Sequence, residues 1–307
     1  MKLWNCANMK IWKHENGVVH KILGVCIFAY CLIFTFSHCA AQAASVPRLA
    51  FQVYGVRDIC EKDFVGTLKA AKAMGYEGVE TGRFYGLDAR GLKAACDEAG
   101  LELVALQLYP HLLVEPRLAE TIRFCKEAGC RRINTAWFKG SAENENDWLL
   151  AVNVINHAAE VCAKEGIEVG YHNHDQEFLV RFDGKTAMEW MFERFSPLVK
   201  QEFDPGWCAM AGGDPVAWLA AHPHRNPTVH VMPAIGKIEN GEFRMGNGGL
   251  PPAGRCGVGS VLDKADWRRI VPALVDDGVQ WLVVKPTAYP DSLEDLKASC
   301  SYLKGLK

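Results

Sequence analysis

Short apolar runs alternate with amphipathic helical patterns along most of the chain, and this alternation limits the possible folds more than any other feature. The predicted strands cover residues 49–57, 78–80, 101–108, 132–137, 168–174, 199–204, 228–231 and 280–285. The predicted helices cover residues 63–74, 88–99, 116–128, 146–165, 186–194, 214–221, 264–277 and 291–304. Strands that alternate with helices indicate a parallel sheet, and eight such units most economically close into an α/β barrel of the (β/α)8 TIM type.

An open doubly wound sheet is the alternative, but the turn at residues 57–63 after the first strand has no glycine-rich phosphate loop. About 264 residues follow position 43, which is close to the usual size of one such barrel. Apolar residues make up 49% of the chain and charged residues 23%, as in ordinary globular proteins. We therefore predict one barrel domain over residues 45–307.

The first 44 residues are predicted to be a separate export segment. A lysine-bearing region ends at Lys21, about 15 uncharged residues follow at 22–36, and Ala41-x-Ala43 suits a signal peptidase. The apolar run is short for a membrane span, although a retained anchor is the alternative. The mature protein is predicted to be periplasmic or extracellular and to make no contact with the membrane.

Charge and cysteine content exclude some classes of function. The formal net charge is -2 and no basic stripe occurs, so nucleic-acid binding is not expected. Four of the 12 cysteines lie in the leader, and no Cys-x-x-Cys pair suggests a zinc ribbon or a thioredoxin-type site. Most of the other eight are predicted to be small buried hydrophobic residues, and some of them could pair in an oxidising compartment.

The segment at 168–175 carries the strongest functional pattern. Side chains alternate along a strand, so His172 and His174 are predicted to point to the same side. Such a pair can also be purely structural, but two later strands end at Asp204 and near His230. Because the carboxyl ends of parallel strands meet at one end of a barrel, we expect these residues to meet there.

Further candidates lie at or just after the ends of the other predicted strands. These are Arg57, Glu80, Tyr109, Trp137, Glu177, Trp207 and Lys285. Glu80 could bind a sugar hydroxyl or pair with Arg57 or Arg83. Tyr109, Trp137 and Trp207 could stack on a sugar face or pack at the barrel mouth. Glu177 could be a base at the rim or a surface charge.

Several segments follow a known pattern: 75–80, 171–178 with Tyr171-His172-Asn173-His174, 204–207, 212–215, 229–231 and the tail from 288 to 303. On these segments, residues 47–305 resemble the sugar isomerase/epimerase family of xylose-isomerase-like TIM barrels, in particular its exported members with a Tyr-His-Asn-His motif. The resemblance implies a divalent metal (Mn, Zn or Mg) that binds sugar oxygens, and side chains that move a proton on the carbon next to a carbonyl. Carried over by position, the metal ligands are His172 or His174, Asp204 and His230.

The last strand departs from the family pattern. The family usually has a glutamate ligand where this chain has Lys285, and the chain also lacks charged family residues after His230 and in the loop 256–259. A lysine ammonium beside a cation opposes metal binding. We therefore predict that the metal is weakly bound or absent and that Lys285 forms a salt bridge with Asp204. A Schiff-base role for this lysine is the alternative.

Two hypotheses about function follow from these patterns. The first is an exported enzyme that acts on a small sugar or keto-sugar by removing a proton next to a carbonyl, with isomerisation, epimerisation or elimination as the outcome. Its predicted catalytic residues are Glu80, His174 and Lys285, and its predicted substrate-binding residues are Arg57, Tyr109, Trp137, Glu177 and Trp207. The second is a barrel without catalysis that retains only carbohydrate binding.

Overall fold

Eight parallel strands close into a barrel in the computed structural model, which describes residues 46–136, 144–239, 242–244, 257–286 and 292–306. The strands are β1 (Arg48–Gln52), β2 (Gly78–Thr81), β3 (Glu102–Leu108), β4 (Arg132–Thr135), β5 (Glu168–His172), β6 (Val199–Phe203), β7 (Thr228–Val231) and β8 (Trp281–Val284). Each strand pairs with its neighbours in chain order, and β8 pairs with β1. The predicted (β/α)8 barrel is confirmed.

A helix follows each of the eight barrel strands. The helices are α1 (Phe64–Met74), α2 (Ala89–Ala99), α3 (Arg117–Ala128), α4 (Glu145–Lys164), α5 (Ala187–Phe192), α6 (Pro215–Ala221), α7 (Trp267–Asp277) and α8 (Ser292–Lys304). Their ends follow ordinary capping chemistry. Asp63 caps α1 by accepting from the Gly66 N–H, and Gly75 ends α1 with a φ of 104°, which a glycine adopts without strain.

Several predicted strands are too long at the end where function was expected, and the first strand differs most. β1 ends at Gln52 instead of residue 57, because the Gln52 side chain accepts from the Tyr54 N–H and starts a 3-10 turn, Val53–Val56. β5 ends at His172 instead of residue 174. Additional short helices, Arg57–Cys60, Gln176–Leu179 and Pro205–Met210, lie just after β1, β5 and β6.

The main apolar core lies between the strands and the surrounding helices. Leu68 of α1, Leu92 of α2 and Leu274 of α7 are fully buried there. A separate apolar cluster comes from β1, β3 and β8 and consists of Ala50, Val104, Ala105, Trp281 and Val283. Ala50 lies between Leu49 and Phe51 of the main core, and Val283 lies between Leu282 and Val284 of that core, so alternation places this second cluster in the barrel interior. The polar side chains described below share that interior.

Gly170 provides space for polar side chains inside the barrel. An added Cβ at Gly170 would lie 2.4 Å from Oδ1 of Asn134. Asn134 is 1% exposed and donates to Glu80, so it cannot move away without breaking that hydrogen bond. Gly170→Ala is therefore expected to lower the free energy of unfolding by about 2 kcal/mol, as overpacking of a core does.

Urea unfolding of this variant should be compared with Gly86→Asn. A Cβ at Gly86 meets no atom within 4 Å, and its φ of 76° lies in the region that asparagine tolerates. We expect the control to stay within about 0.5 kcal/mol of the unchanged protein. Equal free energies of unfolding for Gly170→Ala and Gly86→Asn would show that residue 170 has room for a side chain.

Seven cysteines lie in the described part of the chain, and all are buried thiols: Cys60, Cys96, Cys125, Cys130, Cys162, Cys208 and Cys300. This confirms that most cysteines of the barrel are small buried residues. No helix in the described ranges is both long and apolar enough to cross a membrane. The predicted export segment, Trp137 and Cys256 lie outside the described residues.

Candidate active site

Three side chains from neighbouring strands meet inside the barrel: His172 of β5, Glu202 of β6 and His230 of β7. Each is 0% exposed, and one nitrogen or oxygen from each lies within 4.8 Å of those from the other two. The His172 and His230 ring centroids are 4.2 Å apart. The expected meeting of the histidines from strands five and seven is therefore observed, and Glu202 joins them.

Glu80 of β2 approaches the same cluster from across the barrel. Its Oε1 lies 2.7 Å from Nε2 of His230, and its Oε2 accepts from Nδ2 of Asn134 at 3.0 Å. The same His230 nitrogen is 3.2 Å from Oε2 of Glu202. One imidazole therefore stands between two buried carboxyl groups.

The proposed pairing of Glu80 with Arg57 or Arg83 is wrong. Arg83 pairs with Glu61 at 3.4 Å, and Arg57 lies 3.8 Å from Asp58. Both arginines follow their strands and lie nearer the surface, whereas Glu80 points into the interior.

The two carboxyl groups have pKa values shifted in opposite directions. Burial alone would raise the pKa of Glu80, but the charge and hydrogen bond of His230, together with the hydrogen bonds of Glu202 and Asn134, outweigh burial and lower it. Burial and the nearby negative charge of Glu80 raise the pKa of Glu202 well above its usual range. The two shifts therefore favour the ionised form of Glu80 and the protonated form of Glu202.

Glu202 was not among the predicted site residues, although strand alternation could have identified it. It lies two residues before Asp204, so a strand that points Asp204 inward also points Glu202 inward. The chain turns at Asp204, whose side chain caps the helix Pro205–Met210 by accepting from the Trp207 N–H at 3.1 Å. Asp204 is buried but does not belong to the His172, Glu202 and His230 cluster.

A cavity of about 620 Å³ opens at the carboxyl end of the strands. Its lining includes Gln52, Gln107, Tyr109, His174, Trp207 and Lys285. The His174 ring centroid is 4.8 Å from that of His172 and 5.8 Å from that of Trp207. His174 therefore connects the cavity with the buried cluster. The volume suits a small molecule.

Lys285 follows β8 directly and lines this cavity. Its backbone N–H donates to the Val231 carbonyl at 3.1 Å, which fixes it beside the end of β7. Burial lowers the pKa of Lys285, while the charges of Asp204, Glu80 and Glu202 oppose that shift. Within the described ranges, Lys285 has no ion pair within 4.0 Å, so the predicted salt bridge with Asp204 is wrong and the compensation acts over a longer distance.

Burial also controls the protonation of the two histidines on β5 and after it. Burial, then the charge of Lys285, lowers the pKa of His174 to about 3. Burial, then the charges of neighbouring groups, lowers the pKa of His172 well below its usual range. Both imidazoles are therefore neutral at pH 7. Burial raises the pKa of Asp204 to about 6, against the opposing charges of Lys285 and His230.

Glu177 lies beneath the cavity and is 0% exposed, so its interpretation as a surface charge is wrong. Its Oε1 accepts from the Tyr171 hydroxyl at 2.6 Å, and its Oε2 accepts from the His174 N–H at 2.8 Å. The helix Gln176–Leu179 turns this side chain back under the chain. Glu177 therefore holds the backbone of His174, and its predicted contact with substrate stays a prediction.

The predicted aromatic and cationic contacts lie at different depths. Trp207 and Tyr109 line the cavity, and Tyr109 is 58% exposed. The Arg57 guanidinium packs 4.5 Å from the Tyr54 ring centroid, and Tyr54 also lines the cavity. These positions suit contact with a ligand, although the substrate-binding roles stay predictions.

The cluster of His172, Glu202 and His230 is a candidate site for a divalent metal. His172 Nδ1 lies 3.3 Å from the Glu202 carbonyl oxygen, so Nδ1 donates there and leaves Nε2 as a lone-pair donor. Nε2 of His172 is buried without a hydrogen-bond partner in the described residues, and Oε2 of Glu202 lies 3.2 Å from Nε2 of His230. Two imidazoles and one carboxylate are ligands that transition metals accept.

The surroundings of this cluster do not suit the four-ligand metal site that the family resemblance implies. Lys285 brings a positive charge that acts on His172 and His174. The Nε2 atom of His230 is already engaged by Glu80. Asp204 is outside the cluster, so the carboxylate expected from strand six is replaced by Glu202.

The fold and the buried cluster together define a (β/α)8 barrel with a candidate active site at the carboxyl ends of its strands. Residues 68–306 match the family described as xylose isomerase-like TIM barrel, and the chain belongs to that family. The expected family is therefore confirmed.

Several relatives share this barrel. The chain is 23% identical to an inosose dehydratase from Clostridium botulinum (strain Alaska E43 / Type E3), over 77% of this chain and 86% of that protein. A sugar phosphate isomerase/epimerase structure from Parabacteroides distasonis ATCC 8503 is 20% identical, covers 83% of this chain and 97% of its own, and has a TM-score of 0.67. A xylose isomerase-like TIM barrel protein from Mycobacterium smegmatis in complex with magnesium is 13% identical, covers 86% of this chain and 97% of its own, and has a TM-score of 0.61.

Proposed function

We propose that this protein is an exported enzyme that removes a proton from the carbon next to the carbonyl of a sugar or keto-sugar. The observation that carries the proposal is the placement of His174 and Lys285 together in the lining of a cavity of about 620 Å³, with the His174 ring 4.8 Å from the ring of His172 in the buried cluster. A neutral base and a cation on one wall are the two groups that such a reaction needs.

The relatives support a carbonyl chemistry of this kind. The resemblance to an inosose dehydratase suggests elimination of water next to a carbonyl, and the resemblance to sugar phosphate isomerase/epimerases suggests proton transfer at such a carbon. Both reactions begin by removing the same type of proton. The proposal therefore fixes the first step and leaves isomerisation, epimerisation and elimination as alternative outcomes.

Each chemical role can be assigned to a side chain of the cavity. His174 accepts the proton, because its imidazole lines the cavity together with Lys285. Glu177 holds the His174 backbone from below, which keeps the imidazole in position. Trp207 and Tyr109 offer aromatic faces to the C–H patches of a sugar ring. No step of this reaction is assigned to a metal.

Hydrogen exchange with solvent tests the proposal. The protein is incubated in D2O with aldoses, ketoses and keto-glycosides, and NMR and mass spectrometry follow deuterium at the carbon next to the carbonyl. We expect at least one of these sugars to gain deuterium. His174→Ala should slow the exchange on the order of 100-fold, as the loss of a general base does.

His157→Ala is the matched control, because His157 is an exposed histidine on α4. This variant should exchange at the unchanged rate. Calorimetry could instead detect sugars that bind but do not exchange hydrogen, even after the protein is incubated with manganese. That result would support the alternative of a barrel that only binds carbohydrate. That alternative is favoured by one feature, the lysine at the position of a family ligand.

Export is part of the proposal and depends on the pattern of the first 44 residues: a lysine-bearing start, an uncharged apolar run and small residues at 40–44. An exported enzyme meets sugars that are mainly unphosphorylated.

A further inference from the structure

We propose that the Lys285 ammonium binds the carbonyl oxygen of the substrate and performs the electrostatic role that a divalent cation has in the family reaction. The proposal deepens the function given above and rests on it. In this proposal, the positive charge that stabilises the substrate oxygen belongs to a lysine side chain at the end of β8 and not to a bound metal.

Geometry places this ammonium where a carbonyl oxygen can reach it. Lys285 lines the cavity together with His174, and its Nζ lies 5.9 Å from the Trp207 ring centroid. Its backbone bond to Val231 fixes the start of the side chain at the carboxyl end of β8, beside β7. The cation and the base therefore face one ligand from the same cavity.

The surrounding charges favour the protonated form of the amine and oppose the lowering of its pKa by burial. Asp204, Glu80 and Glu202 are all 0% exposed, and the interaction of each with Lys285 favours the charged form. None of the three forms an ion pair with Lys285 within 4.0 Å in the described residues. The N–H donors of the ammonium are therefore not engaged in an ion pair with these acids, although the acids compensate its positive charge. A protonated amine cannot attack a carbonyl, so these acids favour hydrogen bonding over Schiff-base formation.

The resulting step is balanced without a further reactant. The base takes the proton from the carbon next to the carbonyl, the C–H electron pair forms the new C=C bond, and the carbonyl π pair moves to oxygen. The ammonium keeps its three protons and hydrogen-bonds the enolate oxygen. Because the donor is preorganised, its interaction strengthens as negative charge develops on oxygen.

Three variants of residue 285 test the inference. Lys285→Met should slow deuterium exchange by about 100-fold, as the loss of one donor to a developing oxyanion does. Lys285→Arg keeps the charge and should retain more exchange than Lys285→Met. Lys200→Met, on β6, also removes one lysine from a barrel strand and should exchange at the unchanged rate.

Metal binding provides a readout that does not depend on activity. Calorimetric titration with MnCl2 should detect no tight binding by the unchanged protein, and exchange should persist in the presence of a chelator. Lys285→Glu replaces a positive charge by a carboxylate beside His172, Glu202 and His230, and it should bind manganese at least about tenfold more tightly, since that substitution reverses the local charge.

Different outcomes separate the two proposals. An absence of exchange with every sugar would contradict the proposed function, and the manganese titration would still decide the inference. Equal manganese affinity of the unchanged protein and Lys285→Glu would overturn the inference, as would unaltered exchange in Lys285→Met. Borohydride trapping of a sugar on Lys285, seen by mass spectrometry, would also overturn it and establish an imine.

Discussion

His230→Ala is expected to destabilise the protein by about 3–5 kcal/mol, the usual cost of removing one partner from a buried charged group. The imidazole stands 2.7 Å from Glu80 and 3.2 Å from Glu202, and all three side chains are 0% exposed. Without it, the buried charge of Glu80 loses the interaction that offsets its desolvation. Urea unfolding at pH 7 measures the loss.

The pH dependence distinguishes this electrostatic loss from simple loss of packing. In the unchanged protein the pKa of Glu80 is lowered, so its contribution to stability is present above the ordinary value of 4.5 and is lost as the pH falls. The variant lacks that contribution. The difference between the two proteins should therefore widen as the pH rises through about 4.5.

Val229→Ala is a suitable control, because Val229 precedes His230 on β7, is also 0% exposed and carries no charge. It should lose about 1–3 kcal/mol, by an amount that is independent of pH. If His230→Ala behaves like this control at every pH, the imidazole does not stabilise the carboxyl pair.

The barrel could be predicted from the sequence because the alternation of strand and helix patterns is repeated eight times. The meeting of His172 and His230 also followed from topology alone, since parallel strands bring their carboxyl ends together. No knowledge of side-chain contacts was needed for that step.

The parts that could not be predicted depend on local turns of the backbone. Asp204 precedes a proline and a glycine and looks like the end of a strand, but the chain turns there and its carboxylate caps a helix. Glu202 lies two residues earlier, on the inward face of β6, and occupies the interior position instead. Similarly, Glu177 follows a strand in a polar segment, and only the short helix Gln176–Leu179 places it under His174.

Glu177→Gln is expected to remove a pH-dependent loss of stability. Burial raises the pKa of Glu177 to about 7 from an ordinary value of 4.5, so the folded protein holds this proton more tightly than the unfolded chain. The stabilising effect of that proton is complete below about 4.5 and is lost as the pH rises through about 7. The shift corresponds to roughly 3 kcal/mol, since each pKa unit is worth about 1.4 kcal/mol.

Glutamine resembles the protonated acid at this position. Its carbonyl oxygen can accept the His174 N–H, and the Tyr171 hydroxyl can rotate to accept from its amide group, so both contacts of Glu177 have a counterpart. Relative to the unchanged protein, the variant should therefore gain stability between pH 4.5 and pH 8, by up to roughly 3 kcal/mol. Urea unfolding at several pH values, followed by tryptophan fluorescence, gives this difference directly.

Glu189→Gln provides a control of opposite sign. Glu189 is exposed and caps α5. Its carboxylate accepts a hydrogen bond from the Thr186 N–H, and this bond lowers the pKa of Glu189. Its contribution is present above the ordinary pKa and is lost as the pH falls, so the glutamine variant should become less stable relative to the unchanged protein as the pH rises. Parallel pH profiles for the two variants would mean that Glu177 is ionised at neutral pH without cost and that burial does not control its proton.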